Sequence, residues 1–346
     1  MNKILEYGSI ADIPLYNCSA HNPSEWSKLR GVKHPYLGWF DIIFGVVTNL
    51  LYIPIIAVMF QAECYKMSCF KIMICLGIVD MLALCINSVI TGVLALDGAV
   101  WCTYPKFNYI TGMIILALWC GSCIIVMILV ANRLLDLSGH SLGKILFQGN
   151  RTYLVMLVPL LYGLYFAIFT NPVGFNSKLY TWHFNPMISD NKTNQYVNIP
   201  HCINNVAIVA VTCILYIWLY REVMEKLSAI GWEDRKRDLS FQILVQSVMI
   251  CSINLVASII FVLMNLFDLP IWIVIVAQKM WQAIHGVPVF IYLVLNKTIR
   301  KGFVRIFVAA KKMYNISYVT TAVVAPQQRS LFCGLTFAEI GFLDQK

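Results

Sequence analysis

Seven stretches of this chain stay apolar long enough to cross a lipid bilayer, with polar residues gathered between them. They run roughly from Leu37 to Phe60, Ile72 to Leu96, Phe107 to Leu135, Tyr153 to Thr170, Ile203 to Tyr220, Ile243 to Phe267 and Leu269 to Leu295. A hydrocarbon core about 30 Å thick is spanned by about 20 mostly apolar helical residues. The runs are continuous rather than alternating, and a helix satisfies its backbone polar groups within one segment, so they predict helices and not barrel strands. The expected fold is all-α: an integral membrane seven-helix bundle over 37–296, an outer segment 1–36 before it and an inner tail 297–346 after it.

Composition agrees with this pattern. Of 346 residues 59% are hydrophobic and 12% charged, against about 25% charged in soluble proteins. Met1 to His34 contains no apolar core of a cleavable signal, so the first helix is expected to act as an uncleaved insertion signal and the full chain as the mature protein.

Charge sets the expected orientation, because inner segments carry the excess of Lys and Arg. With the N-terminus outside, 18 of the 26 basic residues fall on inner segments and seven on outer ones, Lys279 lying within the seventh run. The net charge of +9 is then an orientation signal beside anionic lipid, and no nucleic-acid partner is expected.

Five N-x-S/T sequons begin at Asn17, Asn150, Asn191, Asn296 and Asn315. Only Asn17 and Asn191 are expected outside, where glycosylation occurs. The twelve cysteines form no metal-binding pattern, and no metal or cofactor is expected. Cys102 and Cys202 both fall on the oxidising side and are the expected disulfide, with Cys18 as the rival partner.

Polar residues within spans are costly and tend to face the bundle interior. Asn49, Asp80 and Ser122 are candidates for a shared polar site holding water or a cation; hydrogen bonding between helices is the alternative. Asp41 lies near enough to the outer end of its helix to reach the headgroups. Lys279, about ten residues into the seventh run, suggests a salt bridge or a covalent aldehyde site. Arg133 closes the third run at the inner face. It is either a two-state contact for an inner partner or one more positive boundary residue.

Seven helices with an outer N-terminus, an outer disulfide and an arginine closing the third helix together resemble a rhodopsin-like G-protein-coupled receptor. Asn49 in TNLLYIP, Asp80 in LGIVDM, and Pro288 and Tyr292 in GVPVFIYLVLNKTIRKGF add to that resemblance. The residues 297–308 that follow read as a short basic amphipathic eighth helix, with Ile299, Phe303, Ile306 and Phe307 on one side. YNCS, HPYLGWFDIIFGVVTNLLYIPI, FKIMICLGIVDM, ANRLLDL, LYGLYF and NPVGFNS narrow the resemblance to the nematode serpentine receptors of class T, from Tyr16 to about Phe303. The resemblance implies a plasma-membrane chemoreceptor of sensory neurons that binds a small molecule and couples to a heterotrimeric G protein. Asn132, Arg133, Asp136, Tyr292 and Arg300 would serve coupling and switching, and Tyr109, Trp119, Trp272, Trp281 and Lys279 would serve the ligand.

The chain departs from the broader receptor pattern in several places. Asn132 replaces the acidic neighbour of Arg133, and Asp136, one turn along, is the possible substitute. The sixth helix has no proline, and Val287 stands where an asparagine is usual before the seventh-helix proline. Trp281, not Lys279, holds the opsin lysine position. Two residues turn a helix by about 200°, which argues against a photoreceptor. A transporter or channel is the rival class, although no internal repeat is visible. An intramembrane enzyme is disfavoured by the lack of HExxH or GxSxG in the spans.

Overall fold

The computed structural model describes residues 3–188, 194–227, 239–266, 269–308 and 311. Among them are seven helices long and apolar enough to cross a membrane. They are α1 (Pro35–Met59), α2 (Ser68–Asp97), α3 (Pro105–Ser138), α4 (Arg151–Phe169), α5 (Ile199–Leu227), α6 (Leu239–Leu266) and α7 (Ile271–Leu295). Most extend beyond the apolar runs, because hydropathy marks where lipid is and helical hydrogen bonding continues into the polar layer. Local chemistry sets the ends. Pro35 and Pro105 occupy first-turn positions, where a missing N–H costs nothing. Gly98 and Gly139 close α2 and α3 in the left-handed conformation, at φ 72° and 67°. Pro270 caps α7, so that helix starts two residues after the apolar run does.

Helix α3 is the central post and packs against α2, α4, α5 and α6, while α1 is held by α2 and α7. The apolar window of α3 is 61% buried and that of α4 only 22%, so α4 presents most of its surface to lipid. At 1.5 Å per residue α3 is about 51 Å long, well over the hydrocarbon thickness, so its ends stand in the polar layers. Within α2, Cys85–Ile90 is a π-helical segment.

A two-stranded antiparallel hairpin, β1 (Gly174–Asn176) and β2 (Thr181–His183), covers one end of the bundle. That end is called the hairpin end below and the opposite one the Arg133 end. Its approach is close: a Cβ on Gly112 of α3 would lie 1.7 Å from the Val173 carbonyl oxygen, and one on Gly174 would lie 2.0 Å from the Trp101 ring.

The segment before α1 is folded too, into short helical turns and the helix Pro23–Arg30. Ile13 and Tyr16 are fully buried in a small core with Trp101 and Tyr109. Tyr16 stacks on Trp101 at 4.7 Å and meets Tyr109 edge-on at 5.5 Å, while the Tyr196 hydroxyl donates to the Leu15 carbonyl at 2.8 Å.

The chain divides into two compact units at Ile299 and Arg300. Residues 297–308 are helical, and in the second unit the Phe303 and Phe307 rings lie 4.7 Å apart. The tail from 312 onward, Asn191 and the inner-loop residues 228–238 lie outside the described residues.

Candidate functional site

The bundle opens beneath the hairpin into a partly enclosed cavity of about 80 Å³. Its helical wall is Leu116 and Trp119 of α3, His201 of α5, Phe261 of α6 and Trp281 of α7. Its roof is Val173, Trp182, His183 and Phe184, carried by the hairpin. Trp119, Phe261 and Trp281 form a mutual edge-to-face trio, with ring centres 5.6, 6.2 and 6.1 Å apart. Such rings favour edge-to-face contact because electron-poor edges meet electron-rich faces. The Trp119 indole N–H donates to Asn205 Oδ1 at 3.3 Å. The nitrogens Trp281 Nε1 and His201 Nδ1 are buried and have no hydrogen-bond partner among the described residues.

Three consecutive hairpin residues tie the roof to three different helices. The Tyr180 hydroxyl donates to Asp41 Oδ2 of α1 at 2.7 Å, and the Thr181 hydroxyl to Gln278 Oε1 of α7 at 3.2 Å. The Trp182 indole donates to Thr91 Oγ1 of α2 at 2.8 Å. Tyr180 adopts φ 55°, a left-handed conformation that is uncommon outside glycine and persists where surrounding contacts enforce it. Burial and the neighbouring Asp41 carboxylate push the Tyr180 phenol pKa up, so this hydroxyl stays a donor.

Asp41 is fully buried, rather than reaching headgroups as expected, and forms an ion pair with Lys279 Nζ. The same ammonium lies over the Tyr180 ring, 4.8 Å from its centre. Lys279 is thus a structural cation joining α7 to α1 and does not line the cavity.

Deeper in, Asp80 is buried with Oδ1 2.7 Å from His285 Nδ1. Its Oδ2 lies 3.0 Å from the Tyr52 hydroxyl, which is also 2.8 Å from the His285 carbonyl. That hydroxyl has one proton and serves one of the two acceptors at a time. Asn49 and Ser122 do not join Asp80: Asn49 Nδ2 donates to the Gly45 carbonyl at 2.8 Å and Ser122 Oγ to the Trp119 carbonyl at 2.8 Å. Both sit on backbone of their own helices, so the expected three-residue site becomes a site of Asp80, Tyr52 and His285. Beside it, the Asn87 carbonyl in the π-helical segment accepts from Gln278 Nε2 at 3.2 Å and Gln282 Nε2 at 2.9 Å. A π turn breaks the ordinary i to i+4 ladder, which leaves a carbonyl available to a neighbouring helix.

At the Arg133 end the arginine side chain is buried, at 4% exposure. Its Nη1 lies 3.3 Å from Asp136 Oδ2, and Nε donates to Asn132 Oδ1 at 3.1 Å with Nη2 on the same oxygen. Asn132 Nδ2 donates to Ser68 Oγ of α2 at 3.0 Å. The amide therefore does part of what an acidic neighbour would do, without its charge. Tyr292 is fully buried, and its hydroxyl has no hydrogen-bond partner among the described residues. Arg300 is exposed.

Several expected placements are corrected. Cys102 is bonded to Cys18, with Cα atoms 5.5 Å apart, and Cys202 is a free thiol. The bond ties the segment before α1, and not the loop before α5, to the start of α3. Of the expected ligand residues, Trp119 and Trp281 line the cavity. Tyr109 instead belongs to the small core around Tyr16, and Trp272 is 64% exposed on the outside of α7, as an aromatic residue at the membrane interface would be. Sequence reasoning missed His285, Tyr52, Gln278, Gln282, Tyr180, Trp182, His183 and His201. The hairpin residues carry no helical periodicity, and the α7 glutamines fall on a buried face only once its neighbours are known. Asn17 is exposed at the hairpin end, where its Oδ1 accepts from the Ser19 amide at 2.9 Å.

Seven lipid-crossing helices, a roofed cavity at one end of the central helix and a held arginine at its other end define a multi-pass membrane protein of the serpentine receptor type. Residues 3–316 match the family described as serpentine type 7TM GPCR chemoreceptor Srt, and the chain belongs to that family. It is similar to serpentine receptor class T-55 of Caenorhabditis elegans, with 27% identity over 305 residues covering 86% of this chain and 81% of that one.

Proposed function

We propose that this chain is a chemosensory receptor that binds an external small molecule in the cavity beneath the hairpin and signals through a heterotrimeric G protein at the Arg133 end. The observation that carries this reading is that one helix serves both places. Trp119 lines the cavity and Arg133 lies fourteen residues along α3, about 21 Å away at 1.5 Å per residue. A ligand that binds one arrangement of the bundle better than another shifts the population between them, and a shared rigid helix is a physical link between the sites. The hairpin end faces outside, as the excess of basic residues on the other side supports. Asn132, Arg133, Asp136 and Tyr292 are the proposed coupling residues of the first unit and Arg300 that of the second, in a plasma membrane, with sensory cilia as the site of action. Asn17 is the proposed glycosylation site among the described residues.

A compound screen in cells carrying a promiscuous G protein, repeated with Arg133→Ala, tests the reading. A ligand response that disappears in the variant while surface expression and binding persist is the expected result. A normal response in Arg133→Ala removes the arginine from the mechanism. Ligand-gated ion flux in purified liposomes without G protein overturns the receptor reading.

A further inference from the structure

We infer that Asn17 carries an N-linked glycan whose first sugar seats in a groove between the segment before α1 and the start of α3 and braces one against the other. This rests on the outward orientation and the Asn17 site of the proposed function, and adds where the sugar lies and what it does. The transfer joins Asn17 Nδ2 to C1 of the sugar, displaces the pyrophosphate of a lipid-linked oligosaccharide donor and releases one Nδ2 proton.

The groove has a volume of about 600 Å³, far more than the cavity beneath the hairpin and within the range of about 300–1,000 Å³ that takes a small molecule. Residues 10, 11 and 16–19 form one wall and residues 103–107 the other. The Cys18–Cys102 disulfide joins the two sides. The sequon Asn17-Cys18-Ser19 is therefore part of the groove wall, and Asn17 and Ser19 are exposed. Asn17 Oδ1 accepts from the Ser19 amide at 2.9 Å, a bond that leaves Nδ2, the atom a glycan is attached to, unused. Tyr16 before it is buried and Cys18 after it is bridged, so the attachment point is pinned on both sides.

The opposite wall offers what a sugar ring packs against. Tyr104 and Phe107 are 46% and 42% exposed. The Tyr104 hydroxyl donates to Asp97 Oδ2 at 3.0 Å, so that ring is held in place. A pyranose ring is uncharged, with C–H groups on its faces and hydroxyls around its edge. The C–H face suits the electron-rich face of an aromatic ring, while the hydroxyls keep their water through the open side of the groove. Lys106, the charged residue of the wall, is exposed and makes a lipid phosphate the rival occupant. A lipid has to be captured from the bilayer, whereas the sugar is tethered at the wall and enters at a high effective concentration, which decides in its favour.

The full chain is expressed in eukaryotic cells with the other outer sequon removed by Asn191→Gln, placed in lipid nanodiscs, and trimmed by an endoglycosidase to a single N-acetylglucosamine at Asn17. Ser19→Ala supplies the sugar-free form, because it destroys the sequon yet keeps Asn17 and the Ser19 amide it bonds to. Hydrogen exchange read by mass spectrometry over residues 10–19 and 103–108 is expected to be about fourfold to tenfold slower with the sugar, the worth of burying one or two of its C–H groups. Phe107→Ala should erase the difference and Lys106→Gln should leave it. The comparison of the single-sugar and sugar-free forms stands whether or not Phe107→Ala folds. Equal exchange in the two forms, slowing confined to residues 17–19, or a difference that survives in folded Phe107→Ala overturns the inference. Slow exchange without the sugar that Lys106→Gln abolishes puts a lipid in the groove and overturns it too. An unmodified Asn17 also overturns it: a tag at Met1 labelled from outside the cell then spares the proposed orientation, and one labelled only from inside sinks that as well. A seated sugar on a chain that gives no ligand response in any cell upholds this inference and sinks the proposed function alone.

Discussion

The ion pair between Asp41 and Lys279 gives a quantitative test of what holds the roof in place. Lys279→Met removes the ammonium and leaves a fully buried carboxylate whose remaining hydrogen-bond donor is Tyr180. Breaking a buried pair from one side costs about 3–5 kcal/mol. Lys279 is 24% exposed, so water and headgroups offset part of this, and we expect about 2–3 kcal/mol. Asp41→Asn should cost less, about 1–2 kcal/mol, because the amide still accepts from Tyr180 and a long lysine stem can carry its charge outward. The double variant removes both charges and should be more stable than the sum of the single losses predicts, by about 1 kcal/mol or more. Reversible unfolding of the full chain in mixed micelles reads the three values. Trypsin cleavage after the exposed Lys178 at the hairpin turn, faster in Lys279→Met, reports whether the roof loosens. Additive single losses, or Asp41→Asn costing more than Lys279→Met, would refute the reasoning.

Three further outcomes follow from the geometry. Cys18→Ser and Cys102→Ser should each abolish the disulfide in non-reducing peptide mapping and lower stability by about 2–4 kcal/mol, and Cys202→Ser should do neither. Gly112→Ala places a methyl 1.7 Å from the Val173 oxygen, so it should cost about 1–3 kcal/mol in stability and weaken binding of cavity ligands, both measurable on the purified chain. Burial lowers the His183 pKa from its ordinary 6.5, so below that pH the unfolded chain holds a proton that the folded one refuses. Stability should therefore be flat above that pH and fall on acidification, and melting curves of His183→Gln should lack this component.

Much of the fold was legible because lipid imposes length: an apolar run near Leu37 or Ile72 has few other uses. The end chemistry at Pro35, Pro105 and Gly139 was in the sequence too, but hydropathy does not register it. The site was only half legible. Trp119 and Trp281 stood out as aromatic residues in the outer halves of spans, yet Tyr109 and Trp272 satisfied the same description and went elsewhere. What separates them is which face each helix buries, and low contrast along an apolar helix hides that face. The Cys18–Cys102 pairing was misassigned for a related reason. Three cysteines were expected on the oxidising side, and the folded core of Ile13, Tyr16 and Trp101 that brings two of them together arises from aromatic packing with no periodic signature. The pairing of Arg133 with Asp136, by contrast, was readable from i to i+3 spacing alone.

The disulfide also has a consequence for biogenesis. Its two cysteines are 84 positions apart, with the whole of α1 and α2 between them. In the proposed orientation, Cys18 cannot pair until α1 and α2 have been threaded and its partner has reached the same side. It must wait, with Tyr16 and Ile13 uncovered, until the start of α3 arrives. The cap over the receptor's mouth is thus among the last parts of the amino-terminal half to close. A variant that stalls insertion of α2 should be recognised in the cell by a free thiol at Cys18, well before any loss of signalling could be scored.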